Sequence, residues 1–247
     1  MTGPIFDEVA EDYARSRPPY PAAVYDILLA AVGRPWPELT VVDVGAGTGI
    51  ATEQFAARGA RVVAVDPARQ MLDQLRRMLP GTRTVCARAE ELPLASATAD
   101  LVTCAQALHW TRPDRSVPEA LRLLRPAGVF AVWWNVPDFD VPWVADQARR
   151  LRTAAPRYHG FAGADIGLKL SEPPFDLPAQ HHQIRWARRV TTERHVTMLG
   201  THSYLAALDP VARHEFLDSE YDLLARAFPV GILDEPYVTV LTTVRRP

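Results

Sequence analysis

Three glycines alternate in one short turn, Gly45-Ala46-Gly47-Thr48-Gly49, and two carboxylates flank it. Asp43 lies two residues before the first glycine, and Asp66 closes the next apolar run, Val62-Val63-Ala64-Val65. Glycines let a backbone approach a ligand closely, and an acid at the end of the following strand can accept ribose hydroxyls. The chemistry these residues imply is recognition of a nucleoside. Position 50, where a dinucleotide-binding turn carries its third glycine, is Ile50. Asp43 points the same way from its strand as Gly45, so its charge would repel a pyrophosphate and favour an ammonium or sulfonium group. No Gly-Lys-Ser/Thr follows the turn, and Lys169 is the only lysine, so the point charge that usually grips a triphosphate is scarce.

The ligand so described is a nucleoside with a cationic, phosphate-free tail, and S-adenosylmethionine (SAM) fits. A second group of interest is His109-Trp110, just after a predicted strand. Ligands of open α/β sheets bind beyond the carboxyl ends of the strands, which places His109 to face a reacting partner as a general base or an orienting hydrogen-bond group. The alternative reading is a loop-capping His109 with Trp110 filling the core.

The elements that must position these residues follow from periodicity. Residues 1–19 form a polar arm, helical to Ser16, and Tyr20-Pro21 opens a helix with Val24, Ile27, Leu28 and Ala31 on one face. Strands are expected at 40–44, 61–65, 83–87, 100–104 and 128–134, alternating with helices at 48–58, 67–79 and 114–124. That alternation predicts a parallel sheet covered on both faces. Six prolines interrupt 135–180, where a helix at 142–154 is the one regular element. An insertion of this length is typical of a lid. A strand at 181–190, helices at 191–208 and 210–228 and an alternating strand at 237–244 complete the chain, the last strand antiparallel.

Asp43-Val-Gly-Ala-Gly-Thr-Gly49 resembles the first signature of class I SAM-dependent methyltransferases. The similarity continues through Val63-Ala-Val-Asp66-Pro67 with Met71-Leu72, Ala87-Arg-Ala-Glu-Glu-Leu-Pro-Leu94, Ala99-Asp-Leu-Val102, Gln106-Ala-Leu-His-Trp110 and Leu124-Arg-Pro-Ala-Gly128. Phe6-Asp-Glu-Val-Ala-Glu-Asp-Tyr13 and Arg17-Pro-Pro-Tyr-Pro21 resemble the cap of the trans-aconitate-methyltransferase-like branch. The resemblance implies a Rossmann-like fold with a mostly parallel seven-stranded sheet. It also implies a single domain of cap (1–36), SAM-binding core (37–134), substrate-side insertion and lid (135–205) and closing helix and strand (206–247). It assigns SAM contacts to Tyr13, Arg17, Asp43, Gly45, Ala46, Gly47, Thr48, Gly49, Asp66, Pro67, Met71, Ala89, Glu90 and Gln106. Many relatives place an Asp before the Ala-Glu pair; here Arg88 stands there, so the Ala89–Glu90 backbone is the expected adenine contact.

The implied function is methyl transfer from SAM, leaving S-adenosylhomocysteine, to an oxygen of a small-molecule carboxylate or hydroxyl in bacterial secondary metabolism. Acceptor contacts are expected from Tyr20, His109, Trp110, Trp134 and Trp143, with Trp133, Phe139, Tyr158 and Phe161 as further apolar candidates. A SAM-binding protein without transferase activity and an NAD-type oxidoreductase are the competing classes.

With 247 residues, a net charge of −2 and 48% hydrophobic residues, the composition is that of an ordinary soluble protein, a monomer or homodimer. No basic stretch points to nucleic acid, and no apolar run to a membrane span. The first residues carry acids where a secretory leader needs basic and then apolar ones, which with two cysteines suggests the cytoplasm. Cys86 and Cys104 fall on strands that are not neighbours, and both are expected to be buried and unpaired. Arg149, Arg150, Arg152 and Arg157 read as a solvated helix face. His181 and His182 point to opposite faces of a strand, so no metal site is expected.

Overall fold

A computed structural model describes residues 18–158, 160 and 165–246. The expected cap residues Tyr13 and Arg17, and Phe161, lie outside these. Seven strands form one sheet in the order β3-β2-β1-β4-β5-β7-β6, mostly parallel with one antiparallel strand, as anticipated. They are β1 (Thr40–Val44), β2 (Arg61–Asp66), β3 (Arg83–Cys86), β4 (Ala99–Ala105), β5 (Leu124–Pro137), β6 (Ala179–Thr191) and β7 (Ile232–Arg245). The described residues divide into two compact units: a larger one of 19–136, 165–184 and 239–246, and a smaller one of 18, 137–158, 160 and 185–238.

In the larger unit the central strands β1, β4 and β5 are buried on both faces. One face packs Val42, Val102, Phe130 and Trp134 against the helical residues Val117, Ala120 and Leu123, with Leu92 and Leu108 in the same cluster. The other packs Val41, Leu101, Trp133 and Leu241 under α1 (Ala22–Val32) and α2 (Ile50–Ala57). Helix α1 buries Val24, Tyr25 and Leu28 and ends at Gly33, whose φ of 74° lets its N–H close on the Leu29 carbonyl. Tyr25, Trp36 and Trp133 surround Phe55 at centroid distances of 5.2, 5.5 and 6.5 Å, and the Arg58 guanidinium lies 4.3 Å over the Tyr25 ring. Each such aromatic pair contributes roughly 0.5–1.5 kcal/mol beyond its buried area. Helices α3 (Arg69–Met78) and α4 (Pro113–Leu123) present Leu72 and Leu75, and Val117, Ala120 and Leu123, to the core.

The smaller unit contains α5 (Pro142–Ala154), α7 (Thr192–Gly200), α8 (Ser203–Ala206) and α9 (Pro210–Ala227); the short α6 (Asp165–Leu168) belongs to the larger. Leu151, Leu199, Tyr204 and Leu205 form one cluster and Val190, Leu224 and Leu233 another. Asp209 caps α9, its carboxylate accepting from the Val211 and Ala212 amides. A buried polar chain runs through this unit. Glu235 accepts from His195 and Arg188, His195 meets Gln147, and Glu220 accepts from Gln147 and Arg150.

Several boundaries differ from the sequence reading. The helix expected over 191–208 breaks after Gly200, where the Thr201 hydroxyl and amide both turn back to the Met198 carbonyl at 2.7 and 3.0 Å. β5 begins at Leu124 rather than 128, because it passes through an irregularity between the Ala99 and Leu101 pairings, with Ala127 at φ 61°. β7 begins at Ile232 rather than 237, accommodating Pro236, whose carbonyl accepts from the Asp138 amide. Cys86 is exposed, not buried, because β3 is an edge strand, whereas Cys104 on β4 is buried. Arg150 is not part of a solvated face: it pairs with the buried Glu220, while Arg149 pairs with Asp146 on the surface.

Candidate functional site

Strand order reverses between β1 and β4, so the chain leaves their carboxyl ends in opposite directions and opens a crevice there. The glycine turn leaves β1 at this point. Its shape is set by three positive φ values, 71°, 56° and 98° at Gly45, Gly47 and Gly49. The Gly45 and Ala46 amides both donate to the Val65 carbonyl of β2, at 2.8 and 3.0 Å. A Cβ on Gly45 would lie 2.4 Å from that of Ala107, so the turn and the β4 exit are in contact. A Cβ on Gly47 would meet nothing within 4 Å, which leaves backbone open for a ligand to approach.

Asp66 follows from the end of β2. Its Oδ2 accepts from the Gly47 amide at 2.9 Å and its Oδ1 from the Ala68 amide at 2.8 Å. The two sequence features are thus one structure: the carboxylate that would take ribose hydroxyls also holds the glycine turn. Two carboxylate oxygens offer about four acceptor positions, so capacity remains for hydroxyl donors. Thr48 is buried, Pro67 is exposed and Met71 is half-buried at the start of α3.

Asp43 is placed differently from the simple expectation of a charge facing ligand. It is 1% exposed, and its oxygens accept from the Thr52 hydroxyl of α2 at 2.6 Å and the Thr103 hydroxyl of β4 at 2.9 Å. Burial pushes its pKa up to about 6, against the pull of those two hydrogen bonds, and the nearby Asp66 charge pushes the same way. Local sequence pattern does not single out Thr52 or Thr103. The register pairs Thr103 with Asp43 across β1 and β4, so a polar residue inside the run Leu101-Val102-Thr103-Cys104 was the available signal.

Ala89 is buried and Glu90 half-buried. The Glu90 side chain accepts from the Arg112 amide at 2.8 Å and lies 3.4 Å from Arg88. Burial pushes its carboxyl up, but the Arg112 hydrogen bond and the Arg88 charge hold it below the usual range. The β4 exit carries Gln106 at φ 52°, its amide donating to the Trp133 carbonyl at 2.8 Å. A non-glycine residue in this region is strained by about 1–2 kcal/mol, as at many ligand sites.

His109 lies in a 3-10 turn, Leu108–Trp110, directly after β4. Its Nδ1 accepts from the Trp134 indole N–H at 3.1 Å. Indole is a donor only, so a neutral His109 carries its proton on Nε2. Trp133 and Trp134 are both core residues, 0% and 2% exposed on opposite faces of β5, and Trp134 reaches the site through His109. Trp110 is 77% exposed, with its ring centroid 4.8 Å from that of His109. Tyr20 packs edge-on against Trp133 at 5.4 Å. Trp143 belongs to the smaller unit, packed against His195 and Phe228. Tyr158, also there, packs on Tyr204, and Phe139 is partly exposed. His181 is hydrogen-bonded to Ser171 and Thr242. Among the described residues no cluster of three His, Cys, Asp or Glu side chains could hold a metal ion, and no helix is long and apolar enough to cross a membrane.

Residues 42–132 match a family described as "Methyltransferase domain". An uncharacterized methyltransferase of Mycobacterium tuberculosis is 35% identical over 238 residues, covering 95% of this chain and 93% of that protein. A malonyl-[acyl-carrier protein] O-methyltransferase of Enterobacter lignolyticus is 39% identical over 92 residues, 37% of each chain. Among solved structures, a candidate type II methyltransferase from Anaeromyxobacter dehalogenans superposes with a TM-score of 0.72 at 26% identity, covering 93% of this chain and 97% of the other.

Proposed function

This chain belongs to the methyltransferase family with SAM as cofactor, and we propose that it methylates an oxygen of a small organic acid, with His109 as the group that orients the acceptor. The NAD-type oxidoreductase reading falls with that membership. The observation that carries the acceptor proposal is the Trp134 Nε1–His109 Nδ1 hydrogen bond.

The cradle fits the cofactor: open backbone at Gly47, a carboxylate at Asp66 with acceptor capacity left, and a negative charge at Asp43 suited to a cationic tail. Met71 and the Ala89–Glu90 backbone are assigned to the adenine, and Ala46, Thr48, Gly49, Pro67 and Gln106 to the cofactor's surroundings. Bound SAM supplies a methyl carbon on a sulfonium, open to in-line displacement. The chain's task is then to bring the nucleophile close and aligned. With Nδ1 occupied by Trp134, a neutral His109 is a donor at Nε2 and not a base there. A donor suits a carboxylate, which arrives already ionised and needs no proton removed. A phenol or alcohol would need the base. The similarity to a protein named for O-methylation of malonyl-[acyl-carrier protein] favours the same side. Trp110, exposed beside His109, is the proposed apolar wall for the acceptor, with Tyr20. The trans-aconitate-like branch, rested on the N-terminal residues quoted above, also uses an acid acceptor. Cytoplasmic secondary metabolism is the setting we infer.

The test is S-adenosylhomocysteine formation with panels of carboxylates, phenols and amines, followed by variants on the best acceptor. His109→Ala is expected to lower kcat/KM about 100-fold or more, and His109→Gln, which keeps a donor, about tenfold or less. Equal losses in both variants, with a rate that rises with pH only in the wild type, would make His109 a base and overturn the proposal.

A further inference from the structure

The larger unit contains a cavity of about 420 Å³ that neither the cofactor nor the acceptor reading uses. It lies between the last turns of α1 and the β5-β7-β6 side of the sheet. Val129 lines it, and register links Val129 to Leu101 and Leu101 to Val41, near the start of β1. The glycine turn leaves the other end of β1, so the cavity sits at the opposite end of the strands from the cofactor crevice.

Its origin is legible in the residues. Ala30 and Ala31 give α1 no bulk at this point, and the facing strands turn Gln180, His182, Thr243 and Arg245 toward the gap. Ile27 and Val129 make the apolar wall. Two observations point to a ligand. The His182 Nε2 is buried and has no hydrogen-bond partner among the described residues, an arrangement native interiors rarely leave unfilled. The Arg245 guanidinium donates to two backbone carbonyls, of Ala127 and Ala31, and no carboxylate pairs with it among the described residues. Two of its five donors are used, so three remain.

We propose that this cavity is a second binding site, taking a small organic carboxylate with an apolar body. The carboxylate is met by Arg245, with Gln180, His182 and Thr243 completing its hydrogen bonds, and the body lies along Ile27, Ala30 and Val129. One guanidinium matches a monoanion; the site lacks the several cations or the amide nest that a phosphate would call for. The volume is in the range of small-molecule pockets.

The experiment titrates 2-naphthoate, by its own fluorescence, into protein saturated with S-adenosylhomocysteine. One equivalent is expected to bind, with the neutral 2-naphthamide at least tenfold weaker. Arg245→Met should weaken naphthoate at least tenfold, and Ala30→Phe, which fills the cavity, should abolish binding. Both variants should keep S-adenosylhomocysteine affinity within twofold, which also reports that they fold. Absence of binding to the wild type, equal binding of the amide, or binding that survives Ala30→Phe would overturn the proposal.

Discussion

Replacing Asp43 by Asn tests the reading of the site as one that accepts a stability cost to keep a charge under the cofactor turn. The folded Asp43 titrates at about 6, against an ordinary value of 3.8. Between those values the folded state binds a proton that the unfolded state has lost, so stability falls as pH rises from about 4 to 6 and stays lower above 6. At about 1.36 kcal/mol per pK unit, the buried charge costs roughly 3 kcal/mol at pH 7.5. Asn keeps an oxygen to accept from one threonine hydroxyl, and its amide can donate to the other once that hydroxyl rotates, so both contacts to Thr52 and Thr103 survive. Asp43→Asn is therefore expected to be more stable than the wild type at pH 7.5, by up to roughly 3 kcal/mol or about 6–12 °C in Tm, and equal to it below pH 4. Its SAM affinity should fall at least tenfold. Paired thermal melts of both apo proteins from pH 3.5 to 8 measure this, and the difference between the curves cancels the other titrating groups. A Tm difference that does not change with pH, or an Asn variant less stable at pH 7.5, would refute the argument.

Two further substitutions separate shape from binding. Gly45→Ala puts a methyl group 2.4 Å from the Ala107 Cβ at a φ of 71°, so the turn and the β4 exit must separate, and a loss of about 2–4 kcal/mol in a denaturant titration is expected. Gly47→Ala meets no protein atom within 4 Å, so its loss should be about 1 kcal/mol, yet its SAM affinity should fall more than tenfold; equal effects on stability would count against the open cradle. In the smaller unit, Glu235 is buried among His195, Arg188 and Tyr237, where burial pushes its carboxyl up but His195 and Arg188 hold it below the usual range. Its contribution is present above pH 4.5 and is lost as pH falls through the lower folded value, so Glu235→Gln should cost about 3–5 kcal/mol at pH 7 and progressively less on acidification, read from urea midpoints.

Local chemistry carried much of the site into the sequence. The positive-φ turn demanded glycine at 45, 47 and 49, and Asp66 had to follow an apolar run, so both could be read in order along the chain. What lay across strands could not. Thr103 meets Asp43 from 60 residues away, and Trp134 meets His109 from 25, and both contacts depend on β4 lying between β1 and β5. The tryptophan pair shows the same limit. Alternation predicts opposite faces for Trp133 and Trp134, but that both faces of β5 are covered is a property of the sheet, so both rings are core. At two strand boundaries the local cue misleads, a turn-forming residue being tolerated by an extended strand, at Pro126-Ala127-Gly128 and Pro236.

Several costly or residue-specific features of the larger unit meet at one place. The buried charge of Asp43, the left-handed backbone of Gln106 and the three positive-φ glycines of the turn all lie at the ends of β1 and β4, where strand order reverses. Under α1, by contrast, buried apolar residues and a glycine cap agree with local preference. Strain of this kind persists only where surrounding contacts over-determine it. Here they do: Gly45 and Ala46 share the Val65 carbonyl, Gly47 donates to Asp66, and two hydroxyls fix Asp43. The turn is therefore held in shape by the Asp66 carboxylate and the Val65 carbonyl, with no ligand present. On the proposed assignment of the turn to SAM, the energetic cost of the buried Asp43 charge is borne by the apo fold, which is why relieving it is expected to raise stability while weakening the cofactor.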